Sequence, residues 1–171
     1  MHTEAYNYVK DTLRNMPPRH RVIEFGGRFI NGSIRGLFDG TEYVSVDLYE
    51  GQGVDVVGDA EFFYSDGPVD TVICCEVLEH APNWRELVQH AYELLSSDGN
   101  GYFIMTCATH PRPPHSSMDG YPLDGAPTEY YGNVDPEELG NVLARVGFVQ
   151  AMTEIHEDRG DLYCVSIKGR A

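Results

Sequence analysis

Short apolar, β-rich runs alternate with helical stretches along most of the chain, and this alternation restricts the fold more than any single motif does. "RVIEF" (21–25), "EYVSVDL" (42–48), "GVDVVGDA" (53–60), "VDTVICCE" (69–76) and "GYFIMTC" (101–107) read as strands. The fourth has a continuous apolar middle, as a strand buried between two layers must. Between them come a weak helical stripe over 3–15 (Tyr6, Val9, Leu13), a short helix over 31–38 starting near Asn31 or Ser33, and a strong helix over 82–97. In the last, Trp84, Leu87, Val88, Ala91, Leu94 and Leu95 recur at helical spacing, with Pro82 in the first turn and "SDGNG" as the stop. A helix over 135–148 carries Asp135 as cap, Pro136 at its first position and Gly147 near its end. "FVQAMTEIHE" and "LYCVSIKG" then flank "DRGD" as a hairpin. Strand–helix alternation predicts an α/β, doubly wound, mostly parallel sheet with helices on both faces. The C-terminal hairpin enters it antiparallel. The expectation is one domain over 1–171, with 1–18 as an N-terminal helical segment and no linker.

Composition narrows the partners. The 171 residues are 42% hydrophobic, enough for one core. A formal charge of −15 repels phosphate backbones, so nucleic acid is a poor default partner despite the cluster Arg19, His20, Arg21. The four cysteines, Cys74, Cys75, Cys107 and Cys164, show no C-x-x-C spacing and read as reduced, mostly buried packing residues of a cytoplasmic protein. No secretory pattern opens the chain, and no apolar run approaches the ~20 residues that span a bilayer.

The turn "VIEFGGRFINGS" (22–33) raises the question of a ligand. Sheets of this kind bind ligands beyond the carboxyl ends of their strands. Glu24, Asp47, Asp59 and Glu76 all sit at expected strand ends. A carboxylate there can accept from vicinal ribose hydroxyls, and Asp47 follows Glu24 at about the interval of a ribose-binding acid. Gly26 and Gly27 leave room for close backbone approach. Arg28, Phe29 and Ile30 stand where the dinucleotide fingerprint needs glycines, and Glu24 disfavours phosphate, so an uncharged or cationic ligand end suits the turn better than a pyrophosphate.

Here the chain resembles the seven-stranded class I S-adenosylmethionine-dependent methyltransferases. The matching stretches are "VIEFGG", "VSVDL", "GDAEFF" and "DTVICCEVLEHAPN", with the terminal hairpin, and they cover about residues 20–168. The resemblance implies a Rossmann-like fold and S-adenosyl-L-methionine as cofactor. It assigns Glu24 to the cofactor's amino group through water or loop backbone, Gly26 and neighbouring Gly27 to its methionine part, and Asp47 with Leu48 to the ribose. Asp59 and Ala60 would meet the adenine, Glu76 the methionine end, and His80 the vicinity of the sulfonium. The first motif is degenerate: "EFGGRFING" replaces the family's E/D-x-G-x-G-x-G. Other readings stay open: Asp47 and Asp59 as turn caps, Glu76 as a surface partner of Arg85, Glu79 as structural.

The segment 108–134, rich in Pro, Gly, His and Tyr, is the expected substrate or lid loop. His110, His115 and Asp119 could be metal ligands, a base with its orienting partners, or loop polars. Methyl transfer requires no metal, and the expectation is none: His115 or His110 acts as base, with Tyr130 and Tyr131 contacting substrate. The favoured function is methyl transfer to oxygen or nitrogen of a small-molecule acceptor, with a homodimer left open. The alternatives are a non-catalytic cofactor-binding scaffold or partner subunit, a methyltransferase acting on nucleic acid or protein, and a nucleotide-sugar or NAD enzyme. The chain lacks both D/N-P-P-Y/F and a Pro-Cys nucleophile, which weighs against DNA. It also lacks G-x-G-x-x-G, which weighs against NAD.

Overall fold

A computed structural model describes residues 1–121 and 129–170. The elements are α1 (Thr3–Arg14), β1 (Arg21–Phe25), β2 (Glu42–Asp47), β3 (Val56–Val57), β4 (Thr71–Cys75), α2 (Trp84–Leu94), β5 (Asp98–Ala108), α3 (Pro136–Val146), β6 (Phe148–His156) and β7 (Asp161–Arg170). They form one seven-stranded sheet in the order β3-β2-β1-β4-β5-β7-β6. The first five strands pair in parallel, and β7 inserts antiparallel between β5 and β6.

Period-two alternation sorts the strand residues between two cores. Val72 and Cys74 of β4, Ile23 and Phe25 of β1, and Phe103 and Met105 of β5 pack with α2 and α3. Ile73, Cys75, Val22 and Ile104 pack on the other face with Val9 of α1, against which Tyr6 and Leu13 also lie. The weak stripe of the first helix is therefore a true packing face. All of β4 is buried, as its unbroken apolar run requires.

Three elements differ from expectation. The helix over 31–38 is only a 3₁₀ turn, Arg35–Phe38. Gly32 at φ +145° and Gly40 at φ +83° bound it, Gly36 lies inside it, and Ser33 Oγ accepts from Arg35 N at 3.1 Å, which favours a tight turn over helix. Ile34 and Phe38 still reach the core. The strand over 53–60 shrinks to two exposed residues, Val56 and Val57, because only Val46 and Asp47 of β2 pair with them. Conversely β5 begins at Asp98, so "DGNG" enters the sheet through an irregularity between Asp98 and Gly101. The third helix fits its reading: Asp135 accepts from Glu138 N at 2.9 Å, and Gly147 closes it at φ +118°. No described helix is long and apolar enough to cross a membrane.

Lys168 fastens the hairpin to the helical layer. Its buried Nζ donates to the carbonyls of Tyr92 and Leu95, both at 2.7 Å, at the end of α2, and lies 4.4 Å from the Tyr92 ring centroid. Removing it leaves two helix-end carbonyls without their donor. Lys168→Met is expected to lower unfolding free energy by about 2 kcal/mol in urea melts, the usual loss for hydrogen bonds to a charged group. An unchanged midpoint would show that the contact carries no stability.

Candidate functional site

A cavity of about 780 Å³ opens beyond the carboxyl ends of the parallel strands, within the size range of small-ligand sites. Strand order reverses there, between β1 and β4. Gly26, Asp47, Leu48, Asp59, Ala60, Glu76 and His80 all line it. His115 and Tyr130 join them from the loop.

The glycine turn is packed from below. Gly26 has φ +76°, and a Cβ there would meet Val77 Cγ2 at 2.2 Å. At Gly27 a Cβ would fall 1.9 Å from Ser45 Oγ and 2.5 Å from Glu24 Oε2. Gly27 thus makes room for protein rather than ligand, and its own atoms lie off the cavity wall. Glu24 also sits behind the wall. It is 5% exposed and accepts from Tyr43 Oη at 2.6 Å. Burial pushes its carboxyl up to about 7, against the lowering effect of the Tyr43 hydrogen bond and Arg35.

Asp47 and Asp59 both line the cavity and hold turns. Asp47 accepts from Arg28 N at 3.1 Å and Tyr49 N at 3.0 Å, which ties the β1 turn to the end of β2. Asp59 accepts from Glu61 N at 3.0 Å, capping the 3₁₀ turn Ala60–Phe62. Glu76, first residue after β4, has φ +57°, a left-handed conformation that strains a glutamate. Thr106 secures it twice: its carbonyl accepts from Glu76 N at 2.8 Å, and its hydroxyl donates to Glu76 Oε1 at 2.8 Å. Burial acts to raise this carboxyl, but His2, with Nε2 3.4 Å from Oε2, and the Thr106 hydroxyl hold it below the ordinary range. Glu76 makes no pair with Arg85, which binds Glu138 instead.

On the β4 side, three rings pack edge to face. The centroid of His80 lies 5.0 Å from His115 and 5.5 Å from Tyr131, and His115 lies 5.0 Å from Tyr131. Burial pushes His80 down to about 4 and also lowers His115, so both are neutral at pH 7. Glu79 is wholly buried beside them, and burial together with the Glu76 charge raises its carboxyl. His110 is exposed outside the cavity, 3.4 Å from Asn133 Nδ2, and Asp119 is engaged locally by Tyr121 N. Neither joins His115 in a ligand cluster among the described residues.

Four cavity residues were given no site role from the sequence: His2, Arg28 of the glycine turn, and Arg112 and Glu129 of the 108–134 loop. Arg28 reaches across to the Ser117 carbonyl at 3.1 Å, and Arg112 pairs with buried Asp161 at 2.6 Å. Glu129 accepts from Ser117 N at 2.8 Å. Membership of the turn or of the long loop was their only signal, and for His2 there was none. The acids Glu4, Asp47, Asp59, Glu76 and Glu129 outnumber the arginines of the lining, so the cavity favours a cationic ligand group.

A profile of the methyltransferase domain family matches residues 2–151. No curated protein matches in sequence. Solved structures do match in fold. A carbon methyltransferase named CurJ shares 18% identity at TM-score 0.66, covering 96% of this chain and 54% of its own. The Burkholderia thailandensis 1,6-didemethyltoxoflavin-N1-methyltransferase, solved with 1,6-didemethyltoxoflavin and S-adenosylhomocysteine, shares 17% at TM-score 0.65, covering 98% of this chain and 77% of its own. Haemonchus contortus phosphoethanolamine N-methyltransferase 2, solved with phosphomonomethylethanolamine and S-adenosylhomocysteine, shares 13% at TM-score 0.73, covering 98% and 53%. The chain spans about half the length of the first and third of these.

Glu24 makes stability pH-dependent. Its folded pKa of about 7 lies above the ordinary 4.5, so the folded state holds this proton more tightly than the unfolded state. Its contribution is full below about pH 4.5 and is lost as pH rises through 7, roughly 3 kcal/mol across the window. Chemical denaturation at several pH values is expected to show that decline, with Glu24→Gln flattening it. Parallel curves for the two proteins would refute a titrating carboxyl at this position.

Proposed function

The chain belongs to the methyltransferase-domain family, and on that premise we propose that it moves a methyl group from S-adenosyl-L-methionine to oxygen or nitrogen of a small-molecule acceptor. The observation that carries this reading is the convergence of strand-end acids, Asp47, Asp59 and Glu76, with neutral His80 and His115 on one cavity. Its residues fit the cofactor. Asp47 keeps lone pairs for ribose hydroxyls beyond the two amides it holds, and Asp59 keeps one oxygen for an adenine amino group. Glu76 offers a strained, fixed carboxylate to an ammonium, and Glu24 supports the turn from behind.

The bound cofactor supplies a methyl group already activated on a sulfonium, so the protein's work is alignment and removal of the acceptor's proton. His115 is the base in this reading: it lines the cavity, is neutral, and its Nδ1 lies 3.3 Å from the Pro113 carbonyl, which as acceptor leaves Nε2 with a lone pair. His110, exposed and off the cavity, is dropped from that role. Tyr130 lines the cavity mouth as a substrate contact, and Tyr131 acts through its packing on both imidazoles. The cavity is of small-ligand size and the charge of −15 opposes nucleic acid, which supports a small acceptor. The buried free thiols suit a reducing compartment such as the cytoplasm.

Titration calorimetry with S-adenosylmethionine and S-adenosylhomocysteine tests the cofactor. Micromolar binding, about −8 kcal/mol, is expected for the wild type, with strong loss in both Asp47→Ala and Asp47→Asn. Absence of binding would overturn the function and leave the scaffold reading without its ligand too. With an acceptor found by tritium transfer to pooled amines and phenols, His115→Gln should keep cofactor affinity and lose about 100-fold or more in turnover. Unchanged turnover would remove His115 as base.

A further inference from the structure

We propose that Glu79, His80 and His115 form a binding site for one divalent transition-metal cation at the acceptor end of the cavity. One ligand atom from each residue falls within 4.8 Å of the others. The three come from two elements: Glu79 and His80 from the 3₁₀ turn Leu78–His80 after β4, and His115 from the loop after β5.

The polar atoms themselves call for a ligand. Glu79 is 0% exposed, yet neither carboxylate oxygen has a hydrogen-bond partner. The backbone amides of Glu79 and Ala108 lie near it, but neither meets hydrogen-bond geometry. His80 Nδ1 is likewise buried and unpartnered. Buried carboxylates are normally paired, hydrogen-bonded or metal-bound, because taking such a group out of water uncompensated is expensive. A cation would satisfy Glu79 and His80 together.

Ligand type selects the metal. Two imidazoles with one carboxylate suit zinc, iron(II) or cobalt(II) rather than magnesium or calcium, which prefer all-oxygen shells. Surrounding contacts already orient the ligands. The Pro113 carbonyl next to His115 Nδ1 leaves Nε2 for a metal, the type of outer hydrogen bond that fixes a histidine tautomer. The Glu79 carbonyl accepts from Gly132 N at 2.8 Å, and Tyr131 packs on both imidazoles. A tetrahedral zinc site sets its ligand atoms ~3.3 Å apart, so binding a cation draws these three together from their present span of up to 4.8 Å. Three protein ligands leave at least one position open, and His80 and His115 line the cavity. Glu76 and Glu129 on the same wall offset the added positive charge.

The inference goes beyond methyl transfer and does not rest on it. With a cation bound, the His115 lone pair would hold metal, and an acceptor oxygen at the open position would release its proton to solvent water more readily, because the cation would stabilise the resulting anion. Without the cation, neutral His115 takes that proton itself.

The test is calorimetric titration of Zn²⁺ alone into the chelator-stripped full chain, with and without S-adenosylhomocysteine, and with Co²⁺ absorption as a coordination readout. One Zn²⁺ per chain is expected. Glu79→Gln and His115→Ala should each weaken it by more than about 100-fold, beyond the effect of losing an outer hydrogen-bond partner. His110→Ala, on the same loop, should bind as wild type does. Because His115 lies on a partly exposed loop, its variant remains informative if Glu79→Gln fails to fold. Substoichiometric binding, or equal binding by wild type and His115→Ala, would overturn the site. Zinc binding without S-adenosylhomocysteine binding would leave the site standing and sink the methyl-transfer reading; the reverse would sink the site alone.

Discussion

The end of β4 is the constraint on which the rest depends. Within one residue the chain passes from Cys75, buried in the second core, to Glu76, whose carboxylate lines the cavity. That change of environment is enforced by a left-handed glutamate, pinned on both backbone and side chain by Thr106 of the neighbouring strand. Strain of this kind persists only where surrounding contacts over-determine it. It places Val77 over Gly26, so the β1 turn has no room for a Cβ, and starts the turn that carries Glu79 and His80.

Buried charge is treated in two ways around this point. Asp161, 2% exposed, is fully answered: Arg112 at 2.6 Å, Arg159 at 3.0 Å and the Tyr163 hydroxyl at 3.0 Å surround it, joining the loop after β5 to the start of β7. That network is structural in character, since breaking it would strand a buried carboxylate. Glu24 and Glu79 are not so answered. Glu24 has one tyrosine hydroxyl and Glu79 has none, and both carboxyls are raised by burial. Glu24 lies behind the cavity wall and braces the turn, whereas Glu79 adjoins His80, which lines the cavity.

The His80 side of the cavity is built by contacts distant in sequence. His80 and His115 are 35 positions apart, and Tyr131 lies 16 further on, yet their rings form one edge-to-face group. The tie is the backbone: Gly132 N donates to the Glu79 carbonyl and Val134 N to that of Ala108, bringing the returning chain against the turn after β4.

Much was legible before any coordinates. Alternating apolar and helical periodicity carried the layered sheet, because burial on one or both faces of a strand or helix is written in its own residues. Asp135, Pro136 and Gly147 marked a helix through purely local capping chemistry. Acids at strand ends could be located because strand boundaries can. What the sequence by itself determined, then, is whatever acts within a few residues: element type, caps, and the end of the sheet on which the cavity opens. Only tertiary structure decided that pairing with β2 limits the 53–60 strand, that Gly27 yields to Ser45, and that His2 and Arg112 reach the cavity. Those outcomes depend on which atoms meet across long loops, and spacing along the chain holds no record of them.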